Sequence, residues 1–102
     1  MNESQFMQNV AVKETYIDMQ AQSPLFAPSI RLFSCKAWVY YTDKYIVLKS
    51  YNTLVAWYDT NSGILYDGLR YVYGYTATSA QHIAKFKRVL PDRPTAIYTY
   101  RE

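Results

Sequence analysis

From Lys36 onward, apolar and polar positions fall into short β-like runs separated by residues suited to turns. Lys36-Ala37-Trp38-Val39-Tyr40-Tyr41 reads as one strand, Thr42-Asp43 as its tight turn, and Tyr45-Ile46-Val47-Leu48-Lys49 as the next. A third run, Thr53 to Tyr58, ends at Asp59-Thr60-Asn61-Ser62-Gly63, where Asn and Gly tolerate the positive φ of a hairpin loop. Ile64-Leu65-Tyr66 is expected to pair across Asp67-Gly68 with Leu69-Arg70-Tyr71-Val72-Tyr73. Five short runs with close connections predict an antiparallel meander.

The pattern changes after Tyr75. Thr78-Ser79-Ala80-Gln81 fits a capping box, in which the threonine hydroxyl accepts from an early N–H and the glutamine reaches back. Ala80, Ile83, Ala84 and Leu90 then form an apolar stripe, with Phe86 or Val89 at its margins, predicting a helix over 79–90 that packs on one face of the sheet. Lys85, Lys87 and Arg88 fall in its last turns, where cations complement the helix dipole. Pro91 and Pro94 end it, and the alternating run from Thr95 to Tyr100 reads as an edge strand that could also pair two copies of the chain into a homodimer.

At the other end, Phe6, Val10 and Ile17 have helical spacing, while Val10, Val12, Glu14 and Tyr16 alternate like a strand. The reading adopted is a short helix near residues 3–13, then a less regular stretch to residue 30, broken by Pro24 and Pro28, with a short extended piece at Ile30 to Ser34. Together these elements predict an α+β domain spanning 1–102, with its sheet-plus-helix core at 36–90. A chain of 102 residues, half of them hydrophobic and 19% charged, has room for one packed core.

No run approaches the roughly 18 apolar residues of a membrane span, and Met1-Asn2-Glu3-Ser4-Gln5 lacks the basic and apolar regions of a signal peptide, so a cytoplasmic protein without a membrane partner is expected. One cysteine, Cys35, allows no internal disulfide. The net charge is +3, and the cations concentrate late in the chain. Arg70, Lys85, Lys87, Arg88, Arg93 and Arg101 face only Asp92 and Glu102 after residue 68.

Catalytic signatures are missing. Structural zinc needs about four Cys or His ligands, and the chain offers Cys35 and His82, so neither a metal nor a cofactor is expected. Ser-His or Cys-His chemistry would have to recruit His82, which lacks the flanking residues of a nucleophile motif. Gly63, Gly68 and Gly74 are isolated, unlike the clustered glycines of phosphate-cradling loops. Asp43, Asp59 and Asp67 lie at predicted turns. The sequence thus reads as a binding protein and not an enzyme.

Tyrosine is the anomaly, at 12 of 102 residues. Rings serve cross-strand packing, but they also provide stiff, amphipathic contact area at binding surfaces. Tyr71, Tyr73 and Tyr75, alternating along the expected fifth strand, would form one platform, followed closely by Lys85, Lys87 and Arg88. These six are the candidate partner-binding residues. They suit docking on a protein or, as the alternative, stacking with single-stranded nucleic acid.

Two motifs add a resemblance. Leu48-Lys49-Ser50-Tyr51-Asn52-Thr53-Leu54-Val55-Ala56 and Tyr75-Thr76-Ala77-Thr78-Ser79-Ala80-Gln81-His82-Ile83-Ala84-Lys85-Phe86 resemble a family of small uncharacterised domains of bacteriophages and bacterial mobile elements. The match runs from Lys44 to Leu90. It marks Ser50, Tyr51, Asn52, Thr53, Thr78, His82, Ile83 and Phe86 as motif residues that matter together, as they would if a strand and the helix start meet. The resemblance implies a phage-type protein in the host bacterial cytoplasm that docks on a host protein or ribonucleoprotein complex, such as a CRISPR effector that it inhibits.

Overall fold

Six strands form a single sheet in the computed structural model, which describes residues 1–102: β1 (Ser29–Arg31), β2 (Ala37–Tyr41), β3 (Tyr45–Ser50), β4 (Thr53–Asp59), β5 (Ile64–Asp67) and β6 (Ala96–Thr99). Strands β1 to β5 are an antiparallel meander in sequence order, and β6 returns parallel to β5. Three α-helices accompany them, α1 (Glu3–Ala21), the single turn α2 (Leu69–Val72) and α3 (Ala77–Val89), with a short 3-10 turn at Pro24–Phe26. The expected α+β class, meander, C-terminal helix and returning edge strand are all present.

Strand alternation divides the apolar side chains between two cores. Val39, Ile46, Leu48, Tyr58 and Leu65 face α3 with its Ile83 and Phe86. Tyr45, Val47, Trp57 and Tyr66 face α1 with its Val12 and Met19. A register shift between Leu48 and Lys49 lets Val55 and Ala56 both join the α3-side core. Both faces of the sheet are therefore covered, where the sequence suggested one.

The N-terminal segment is one continuous helix from Glu3 to Ala21, longer than the stretch over 3–13 expected from sequence. Its inward face is not the one expected either. Phe6 and Ile17 are exposed, whereas Asn9, Val12 and Met19 are buried. Amides anchor this face. Gln5 Nε2 donates to the Thr99 carbonyl at 2.9 Å, Gln8 Oε1 accepts from Thr99 N–H, and Asn9 binds both the N–H and the carbonyl of Arg101. These side chains satisfy backbone groups that an edge strand leaves open. Farther along, Asp18 accepts from Lys44 Nζ at 2.8 Å and from the Tyr45 hydroxyl, so the helix is tied to β3 as well. The Lys44 and Tyr45 hydrogen bonds hold the Asp18 carboxyl below its usual range.

Leu69 to Tyr73 is the main departure. These residues do not form a strand; Leu69–Val72 is a helical turn. Gly68, at φ −100°, lacks the positive φ that an Asp-Gly hairpin of the favoured type requires. Its N–H instead donates to the Val55 carbonyl at 2.9 Å, and Asp67 Oδ1 accepts from Leu69 N–H at 3.2 Å. The indole of Trp57 fills the space beside it. A Cβ at position 68 would lie 2.4 Å from Trp57 Cη2.

Gly68→Ala should therefore destabilise the fold by about 1–3 kcal/mol, the usual cost of forcing atoms into a packed core. Urea denaturation followed by Trp fluorescence measures it, and an unchanged midpoint would show that the indole yields without cost.

Candidate functional site

The turn between β3 and β4 holds two residues, Tyr51 and Asn52, closed by the Ser50–Thr53 pair. Tyr51 has φ +54°, a left-handed backbone that favours glycine. Its N–H donates to the Lys36 carbonyl at 2.8 Å, fixing the turn against the segment entering β2. Nearby, α3 begins with Thr76 as its cap, the hydroxyl accepting from Ser79 N–H at 3.2 Å. Thr78, expected as the cap, lies one residue inside the helix.

Ser79 and His82, three residues apart, share the buried face of α3. They meet Ser50. Its hydroxyl lies 2.9 Å from Ser79 Oγ and 2.7 Å from His82 Nδ1. Ser50 and His82 are only 2% and 4% exposed. The Tyr51 ring leans over the imidazole at 5.6 Å between centroids. The two motif segments thus come together in space, with Ile83 and Phe86 anchoring the same helix in the α3-side core.

Burial, with a smaller contribution from Lys85, holds His82 below the usual imidazole range, so the ring is neutral near pH 7. A serine hydroxyl on an imidazole nitrogen is the pairing used for nucleophilic catalysis. Here the hydroxyl is buried and shared with Ser79, and no carboxylate orients the ring. Satisfied polar contacts of this kind define how a helix seats on a sheet. Beside the cluster, Ser50, Tyr51, Asn52, Thr53, Val55, Tyr73 and Ser79 surround a niche of about 120 Å3.

The six expected partner-binding residues are dispersed. Because α2 replaces the fifth strand of the sequence reading, Tyr71, Tyr73 and Tyr75 share no strand face. Tyr71 packs between Tyr16 and Tyr100 in a run of rings on the α1 side. Tyr73 stands on the rim of the niche, 63% exposed. Lys85 reaches Cys35 Sγ at 2.9 Å, and Arg88 lies over the Phe33 ring. Tyr75 and Lys87 alone stay together, in a cleft with Arg70 and Arg101. Sequence reasoning passed over Ser79, Arg70 and Arg101. Ser79 stood within the quoted motif, but Arg70 and Arg101 are brought together only by the parallel return of β6. No three His, Cys, Asp or Glu side chains are grouped to hold a metal ion. No helix is long and apolar enough to cross a membrane.

Comparison with known families gives one match: a Family of unknown function (DUF8033) covers residues 5–96. The chain belongs to this family. No curated protein and no solved structure matches it. Membership in DUF8033 agrees with the resemblance to an uncharacterised domain family, and the match includes both the Ser50 turn and the His82 helix.

The lowered His82 pKa gives a signed prediction. The unfolded chain takes up the proton first as pH falls, so stability is full above about pH 6.5 and declines between that value and the lower native pKa. Urea titrations near pH 7.5 and pH 5 should show this loss in the parent and its removal in His82→Gln; equal pH dependence in both would refute it. Ser50→Ala should lower stability by about 1–3 kcal/mol at neutral pH, by leaving buried polar atoms without their partner.

Proposed function

We propose that this protein is a non-catalytic binding module that docks on another protein through the niche at the Tyr51 turn. The left-handed Tyr51 carries the reading. A non-glycine residue at such a φ costs on the order of 1–3 kcal/mol, and strain of this kind clusters at functional sites. Ser23 and Phe33 share this conformation, but of the three only Tyr51 lines the niche. Tyr51 is 49% exposed, and Tyr73, Ser50 and Ser79 line the niche with it.

Size favours a protein partner. Small-molecule sites run to roughly 300–1,000 Å3, whereas this niche has about 120 Å3, room for one anchoring side chain. Rigid rings flanking such an anchor supply contact area at low entropic cost. The phage-family resemblance supports a bacterial host protein as partner, with a defence complex such as a CRISPR effector as the specific candidate.

The test compares variants in quantitative affinity capture from bacterial lysate. Tyr51→Gly should keep stability within about 1 kcal/mol of the parent, since relief of strain offsets the lost ring contact. Tyr51→Gly and Tyr73→Ala should each lower capture of one defined partner by about tenfold or more, while Phe6→Ser on the outer face of α1 leaves it unchanged. Capture that is indifferent to both tyrosines, or absent in the parent, would overturn the proposal.

A further inference from the structure

A second concavity, remote in composition from the niche, opens where the two parallel strands end. Asp67 of β5 pairs with Thr99 of β6, so both strands present their carboxyl ends at one place. In sheets with parallel strands, ligands commonly bind just beyond those ends. Two adjoining clefts of about 410 and 250 Å3 lie here, and Arg70, Tyr75 and Arg101 line both. Lys87 enters the smaller one from α3.

Three cations therefore converge on one open cavity. The chain's only ion pair joins Lys44 to Asp18, so Arg70, Lys87 and Arg101 have no carboxylate within pairing distance. Two acids do line the clefts. Asp67 accepts from the Leu69 N–H and so serves the start of α2, and Glu102 stands at the outer rim of the larger cleft. Neither makes an ion-pair contact with a cation, but Asp67 lies within electrostatic reach of Lys87, Arg101 and Arg70, whose charges offset part of the rise that burial gives its carboxyl. Three cations against two acids leave the lining net positive, and an anion entering it meets that excess.

The aromatic component is equally specific. Arg70 places its guanidinium 4.5 Å from the centroid of the Tyr75 ring. Tyr75 is nevertheless 56% exposed, which leaves ring surface for a second planar group. A flat group stacked on an aromatic ring beside a row of cations is the chemistry of a nucleotide unit, with its base on the ring and its phosphates on the cations.

We infer that the cleft formed by Arg70, Tyr75, Lys87 and Arg101 binds single-stranded nucleic acid, the base of one nucleotide stacking on Tyr75 and the flanking phosphates meeting the three cations. Two adjoining clefts suit a strand that passes from one to the other, more than an isolated mononucleotide. This site shares no residue with the niche at Tyr51, so the inference stands or falls independently of the docking proposal.

Fluorescence anisotropy with labelled short oligo(dT) tests it across a salt series. Binding should weaken with a log–log salt slope of about −2, from three phosphate contacts at about −0.7 each. Arg101→Gln and Lys87→Gln should each flatten that slope by about 0.7. Tyr75→Ala should weaken binding by about tenfold or more while leaving the slope intact. Three results overturn the inference: no oligo(dT) binding at low salt, equal binding of polyglutamate, or a free mononucleotide competing as well as the strand. Insensitivity to all three substitutions would do the same, by moving any binding away from this cleft.

Discussion

The Trp57 indole is the contact on which the arrangement of elements rests. Fully buried on β4, it lies against Tyr66 of β5 and Tyr16 of α1, and its Nε1 donates to Thr15 Oγ1 at 2.8 Å. It also occupies the volume that a side chain at position 68 would need. Glycine there lets the chain press in against β4, and the backbone then coils into α2 instead of turning back as a hairpin. That coil carries Arg70 and leads to Tyr75, so the shape of the cleft beside the parallel strands follows from one ring packed on one missing side chain.

Much of this architecture was legible in the amino-acid pattern. β2 through β4 announce themselves because Val, Ile, Trp and Tyr alternate between two cores, with short polar turns at Thr42-Asp43 and Asp59 to Gly63. The α3 helix is equally plain from its apolar stripe. Leu69 to Tyr73 misleads for a physical reason: it has the alternation and β-favouring residues of a strand, but its neighbour Trp57 leaves no space for hairpin geometry. Local propensity lost to a tertiary contact between Trp57 and Gly68, eleven positions apart, that alternation does not reveal. The extent of α1 was hidden differently. Its inward face is built largely from Gln5, Gln8 and Asn9, which hydrogen-bond strand backbone, so a search for apolar periodicity finds the outward Phe6 and Ile17 instead.

The candidate sites divide along the same line. The Ser50 turn and the His82 helix were visible as two motifs, and the fold joins them through short hydrogen bonds. The tyrosine platform was not real, because it depended on the strand that became a helix. Tyr71 belongs to the internal run of rings, and the surplus of tyrosine is absorbed partly there, with Tyr45, Tyr58 and Tyr66 in the interior. Arg70 and Arg101 lie 31 positions apart and share a cleft only because β6 comes back alongside β5. No spacing rule connects residues across such a crossover.

The amide side chains of α1 have one more effect. With Thr99 and Arg101 already occupied, a foreign strand could add beside β6 only by evicting Gln5, Gln8 and Asn9. The opposite margin is three residues long, and its hydrogen-bonding pattern turns only Ser29 and Arg31 outward. The sheet therefore has a sealed side and a short open one. Two copies joined at their open sides would have no further rim to offer, so growth by strand addition terminates at a pair and cannot propagate into a fibre.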